Sequence, residues 1–377
     1  MKVIVTDTES RKSYDVVNIL KKKYEFNVIV AGGKNTKFQL PIIYGQDVYF
    51  LSNESYKEFE ENFLNILNAH ENEDLVYLPV AEKSTKYFYS FLKYNEVLNL
   101  QYLLPSEEIF EMCSDKGAFQ AFCEKKGFPV PKSIKPDQLE AFKRNFRPLI
   151  AKLHSSQGSV GLLNIEEKED LKKLENVDLE QYVIQEKVVS EQKVSGAFFL
   201  CKKGRVYRAY THDRLRTFPR DGGVTVYSQS GFNQDIVDIG ADVLKALNWD
   251  GLAMIEFMKD AYSGEWKIIE INPRIWGSVL LSSFSGADLL KGYVDLCRSY
   301  PVKQQPVQKK FIRWLFPFDL LNFLKGNISL KTLLHWDLKN TCYINFTYSS
   351  WWSALAFMIY FTFNVHSIKR FLKKITG

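Results

Sequence analysis

The chain has 377 residues, 46% of them hydrophobic and 25% charged, the composition of a folded globular protein with room for two or three domains. Its net charge of +6 is modest, and no long basic stripe with interleaved aromatics precedes residue 300, so nucleic-acid binding is set aside. Cys113, Cys123, Cys201, Cys297 and Cys342 form no C-x-x-C pair, which points to reduced thiols, and "MKVIVTD" runs straight into a strand-like segment with no room for a signal peptide, so the bulk of the chain is expected in the cytoplasm.

In chain order, "KVIVTD" predicts a strand ending at Asp7, "YDVVNILKKKYEF" a helix, and "NVIVAGG" a second strand. "DLVYLPV" (74–80) is a further strand, followed by the helical "TKYFYSFLKYNEVLNL". Strands alternating with helices predict an α/β domain with a mainly parallel sheet over residues 1–103. Ligands bind beyond the carboxyl ends of such strands, which places Asp7, Gly32, Gly33, Pro79 and Glu82 near that edge. Each also reads as an ordinary loop residue.

"SDKGAFQAFCEKKGFPVPKS" (114–133) carries start and stop signals for a helix. "RPLIAKLHSSQGSVGLLNI" (147–165) reads as strand, Gly/Ser-rich loop and strand, and "LEQYVIQEKVV" (179–189) as another strand. "GAFFLCKKGRVYRAYTHDRL" is a strand pair around a Lys-Lys-Gly turn, and "QDIVDIGADVLKALNW" an amphipathic helix. "GLAMIEFMKDAYSGEWKIIEINPR" (251–274) is a hairpin, and "GADLLKGYVDLCRSY" (286–300) a helix.

The hairpin is the informative piece. A turn centred on Ser263 places Glu256 opposite Glu270, and Asn272 and Arg274 follow on the same face because strand side chains alternate. Two carboxylates that close require a proton or a cation between them. With the amide oxygen of Asn272 they form a hard-oxygen set suited to magnesium or manganese, while Arg274 suits a phosphate or carboxylate. Spacing alone fits a solvated sheet face equally well.

Lys152 ends the strand "PLIAK", and Ser156, Gly158 and Ser159 in the loop behind it can turn backbone N–H groups toward an anion. The loop is not a Walker A motif, since no G-K-[ST] is present and a strand follows; an ordinary surface hairpin is the plain alternative. The backbone from Glu186 to Val188 offers hydrogen bonds for an adenine edge and Glu191 a carboxylate for ribose hydroxyls, although a solvated edge strand has the same spacing. "YTHDRLRTFPRDGGVT" (210–225) gathers Arg214, Arg216 and Arg220 near His212, with Arg214 and Arg216 expected on one face. For His212 a structural role is the plain reading.

In this order, the pieces resemble the ATP-grasp superfamily over roughly residues 1–300. The resemblance is sharpest in "MIEF" followed by "IIEINPR", and is supported by "DK" before a helix, "IAK" before the Ser/Gly loop, "IQE" and the Gly-Gly loop. It implies a Rossmann-like parallel-sheet pre-domain (1–103), an ATP-grasp lid subdomain (104–190) and a metal-binding subdomain (191–300), α/β and α+β in class, and leaves residues 301–377 as a hydrophobic C-terminal extension outside it. It implies ATP phosphates on Lys116 and Lys152 under Ser156, Gly158 and Ser159, the adenine held around Gln185, Glu186, Lys187 and Val188, and the ribose at Glu191. Glu191 is the weakest of these, because "VVSEQKVSG" departs from the commoner pattern. The resemblance further implies magnesium (manganese as a second candidate) on Glu256, Glu270 and Asn272, an acyl-phosphate intermediate steadied by Arg274, and a substrate carboxylate on Arg214 and Arg216. The implied activity joins a small-molecule carboxylate to an amine at the expense of ATP. A bicarbonate-using carbamoyl-phosphate or carboxylase type and a nucleotide-binding module without turnover are the competing readings.

The C-terminal residues fit this body poorly. Residues 341–367 contain no Asp, Glu, Lys or Arg, and Lys369, Arg370, Lys373 and Lys374 follow. The polar residues Asn345, Thr347, Ser349, Ser350 and Ser353 dilute the first half, so a helix packed on the body or lying at a membrane surface is expected rather than a span. Nothing in the sequence sets an oligomeric state.

Overall fold

The computed structural model describes residues 1–33, 44, 47–142, 146–154, 161–190, 194–220 and 223–363. Among these residues the strands form three sheets. The first contains β1 (Lys2–Val5), β2 (Val28–Gly32), β3 (Val48–Phe50), β4 (Leu75–Leu78) and β5 (Leu100–Gln101) in the order β3-β2-β1-β4-β5, every pair parallel. β1, β2 and β4 read as continuous apolar runs because both faces are covered. Ile4, Ile29, Phe59, Phe63 and Phe88 fill one side, and Val3, Val5, Val28 and Val76 the other. Ser10 caps the helix Arg11–Asn18 by accepting from the Ser13 N–H, which carries Arg11 and Lys12 beyond the carboxyl ends of the strands.

The second sheet, β7-β6-β8, is small and antiparallel, formed by β6 (Leu149–Leu153), β7 (Leu163–Ile165) and β8 (Tyr182–Glu186). The helix Lys116–Lys126 precedes it, capped by Asp115 and stopped at Gly127, whose φ of 75° is a left-handed geometry that suits glycine.

The third sheet has the order β13-β12-β9-β10-β11-β14-β15 and contains β9 (Ser195–Lys202), β10 (Arg205–Phe218), β11 (Val224–Gly231), β12 (Gly251–Lys259), β13 (Trp266–Asn272), β14 (Phe311–Arg313) and β15 (Thr341–Tyr343). Ala197, Phe199, Ile255, Phe257 and Ile271 pack one face into a core with Ile236, Val243 and Leu244 of the helix Gln234–Ala246. The opposite face carries the site.

Part of the C-terminal region joins the large sheet. β14 pairs with β11, and β15 runs parallel to β14, so this segment extends the large sheet. Burial of Ile312, Cys342 and Ile344 drives the addition, and buried Asp319 pairs with both Arg216 and Arg313. The helix Trp351–Phe363 stacks Phe357 on Tyr14, with ring centroids 4.2 Å apart, and leaves Trp351 and Trp352 exposed. No helix among the described residues is long and apolar enough to cross a membrane. Lys369, Arg370, Lys373 and Lys374 lie outside the described residues. All five cysteines are free, and four are buried.

Candidate active site

The β12–β13 hairpin pairs Met254 with Asn272, Ile255 with Ile271 and Glu256 with Glu270. The two carboxylates therefore sit at opposed positions, the register expected from the turn. Beyond Glu256 a bulge shifts the ladder, so that Phe257 meets Ile268. Glu256 is buried, and burial pushes its carboxyl up from the ordinary range; the Arg214 guanidinium opposes that shift, and the Glu270 charge adds to it. Asn272 Nδ2 donates to Glu270 Oε1 at 3.2 Å.

Arg214 donates to Glu256 across an intervening strand. Glu256 is on β12 and Arg214 on β10, with β9 between them. The β9 residue under this bridge is Gly196, paired with Glu256 on one side and His212 on the other. A Cβ there would lie 2.9 Å from the Phe198 ring and 3.1 Å from His212 Cδ2. Glycine keeps the path open, and no periodicity in the sequence marks it out.

Lys152, near the end of β6, is half-buried close to both carboxylates. Burial lowers its pKa, and the charges of Glu270 and Glu256 oppose the drop. Lys116 opens its helix behind the Asp115 cap, its N–H bonded to His154 O at 3.0 Å, while His154 Nδ1 meets Asp115 Oδ1 at 3.0 Å. Both lysines line one cleft of about 390 Å³ together with Glu256, Glu270, Asn272, Arg214 and Arg274. Arg274 Nε donates to Glu82 of the parallel-sheet domain at 2.8 Å, and Lys12 Nζ donates to Val80 O at 2.6 Å and Ile275 O at 3.0 Å. These bonds tie the strand end after Asn272 to the carboxyl edge of the first sheet.

Gln185, Glu186, Lys187 and Val188 line the other end of the cleft. The Glu186 N–H is bonded to Lys132 O and the Lys187 N–H to Pro148 O, so two of the three backbone donors considered for a base edge are already engaged. Buried Gln185 Oε1 has no hydrogen-bond partner among the described residues. Ser156, Gly158, Ser159 and Glu191 lie outside the described residues.

Arg216 does not reach the cleft. A β-bulge between Arg214 and Arg216 breaks the alternation of β10, and Asp319 holds Arg216 through bonds of 2.8 Å from both Nε and Nη2. The cleft instead gains residues that periodicity did not single out: Arg11, Trp276, Ile312, Trp314 and Ile344. Only "FIRW" hinted at the strand carrying Ile312, and three residues are too few for a pattern. His212 also lines the cleft; burial pushes its pKa down to about 3, so the imidazole is neutral.

A sequence-family model described as an ATP-grasp domain matches residues 113–278. Residues 113–278 thus match the ATP-grasp domain family. Comparison with curated proteins gives no match. Among solved structures, the chain is similar to biotin carboxylase from Campylobacter jejuni, with a TM-score of 0.63 and 16% identity over 81% of this chain and 72% of that one. It is also similar to the biotin carboxylase domain of 2-oxoglutarate carboxylase from Hydrogenobacter thermophilus, solved with MgADP and bicarbonate, with a TM-score of 0.63 and 12% identity over 82% and 73% of the two chains. A third similar structure is phosphoribosylamine–glycine ligase from Thermotoga maritima, with a TM-score of 0.58 and 14% identity over 82% and 78%. At these identities the likeness is one of fold.

The donor set of this cleft fits a divalent cation. A cation between two opposed carboxylates, one driven toward its neutral form by burial and met by a guanidinium, would offset the repulsion between them. Among the described residues no three His, Cys, Asp or Glu side chains converge, so a cation here would complete its shell from the Asn272 amide and from substrate oxygens.

Proposed function

We propose that the protein is an ATP- and magnesium-dependent ligase that activates a carboxylate for attack by an amine. The observation carrying this reading is the convergence of Glu256, Glu270, Lys152, Arg214 and Arg274 on one cleft. In this reading Glu256, Glu270 and Asn272 hold magnesium, which supplies charge neutralisation for the ATP phosphates when bound. Lys152 and Lys116 hold phosphate oxygens, and Gln185 Oε1 accepts from the adenine amino group. Arg274, fixed by Glu82, and Arg214 orient the acid.

A carboxylate oxygen of the acid attacks the γ-phosphorus, the bond to the bridging oxygen breaks, and ADP leaves. The amine nitrogen then attacks the acyl carbon, phosphate departs and the nitrogen loses a proton. The protein's part is positioning and charge stabilisation rather than covalent chemistry. The experiment is ADP release with magnesium across acid–amine pairs. Release that requires both an acid and magnesium is expected; ATP hydrolysis indifferent to any acid contradicts the reading, and release driven by bicarbonate alone supports the carboxylase type instead.

The exposed Trp351, Trp352, Leu355 and Ile359 on the helix Trp351–Phe363 support peripheral contact with a membrane surface, with the basic residues 369–374 of the sequence favouring anionic lipid.

A further inference from the structure

The geometry points to an apolar chamber at the substrate end of this cleft that selects a carboxylic acid with a bulky apolar body. The inference rests on the ligase reading and names the acid that reading leaves open. Beyond Arg214 and Arg274, the cleft is walled by Val226, Trp276, Ile312, Trp314 and Ile344. All five are at most 7% exposed, so this wall is packed into the core rather than standing on the surface. Three of them come from the C-terminal segment that extends the large sheet: Trp314 N donates to Val226 O at 2.8 Å, and Ile344 N to Arg313 O at 3.0 Å. The fold thus recruits residues 311–344 to build this wall.

The chamber has few polar features. The Arg11 guanidinium stacks 3.9 Å over Trp314 and donates to Gly277 O at 3.1 Å, so it closes the wall while partly satisfied. His212 is 2% exposed; its Nδ1 meets Ser278 Oγ at 3.3 Å, and its Nε2 has no hydrogen-bond partner among the described residues. Arg214 Nε is likewise unpartnered. Buried orphan atoms beside apolar walls are how small-molecule sites combine burial with a few orienting contacts. Arg214 supplies the charge for the acid's carboxylate, His212 Nε2 one hydrogen bond to a polar group on its body, and the walls the desolvated volume. A small hydrated acid such as bicarbonate would leave that volume unfilled.

The test uses the full chain with ATP, magnesium and hydroxylamine, which traps an acyl phosphate as a hydroxamate and removes dependence on the unidentified amine. Acetate, bicarbonate and aspartate are compared with leucine, phenylalanine and 3-phenylpropionate. Since a methylene in an apolar pocket is worth roughly tenfold or more in kcat/KM, the apolar acids should exceed the small ones by at least that factor. Ile344→Phe, which fills the chamber, should lower kcat/KM for the bulky acids by roughly tenfold more than for acetate. If that variant does not fold, Ile344→Ala should move the preference toward a larger acid. Preference for the small polar acids, an equal effect of Ile344→Phe on every acid, or an unmoved ranking in Ile344→Ala overturns the chamber while leaving the ligase reading intact. ATP binding with no hydroxamate from any acid overturns both.

Discussion

Arg214 and Glu256 meet across β9 because the residue between them is Gly196. The guanidinium neutralises one of two opposed carboxylates and is held at the mouth of the substrate end. This contact joins the side proposed for metal and phosphate to the side proposed for the acid.

Gly196→Val is the sharp probe of that contact. Its side chain would enter the space of the Phe198 ring and His212, and overpacking of this kind costs about 1–3 kcal/mol. Urea unfolding should show that loss, and ADP release should fall further than the stability loss accounts for. Wild-type turnover in this variant would mean that the bridge is dispensable.

Asp319 should behave as a structural anchor. It is fully buried and pairs with Arg216 and Arg313. Asp319→Ala leaves two guanidiniums without their carboxylate and should cost about 3–5 kcal/mol in denaturant unfolding. A loss below about 1 kcal/mol would show that the pairing contributes little.

Asp15 should make stability depend on pH. Burial raises its carboxyl from the ordinary 3.8 to about 7, while Arg11 and the Asn345 N–H oppose the rise. An acid raised in the folded state binds its proton more tightly there, so stability falls as pH rises between about 4 and 7, and the full cost stands above 7. Asp15→Asn keeps an oxygen for Asn345 N, which lies 3.1 Å away. Its gain over wild type should be absent near pH 4 and reach about 2–4 kcal/mol at pH 8. A gain that does not change with pH would refute the assignment.

How far the sequence foretold this site depends on the length of each pattern. The opposition of Glu256 and Glu270 was legible because a nine-residue and a seven-residue strand flank one short turn, and alternation then fixes the face. The bulge after Glu256 left no sequence trace, and neither did the one that separates Arg214 from Arg216, since a bulge is a property of the pairing rather than of either strand. The parallel sheet was readable from its apolar runs. The three-residue strands β14 and β15 were not, because their burial depends on partners far along the chain.

Trp351→Ser with Trp352→Ser tests the lipid-facing reading of the helix Trp351–Phe363. The two indoles are 80% and 82% exposed, so stability should change by less than about 0.5 kcal/mol, while co-sedimentation with anionic vesicles should drop. Equal sedimentation of the variant and the wild type would remove the membrane contact from consideration.

The most direct measurement is calorimetric titration of ATP, with and without magnesium, into the wild-type protein and Glu270→Gln. The expected result is wild-type affinity strengthened by magnesium roughly tenfold or more, with that gain lost in Glu270→Gln and its unliganded melting temperature unchanged. A Glu270→Gln protein that keeps the full magnesium dependence would contradict the pairing of Glu256 and Glu270 around one cation.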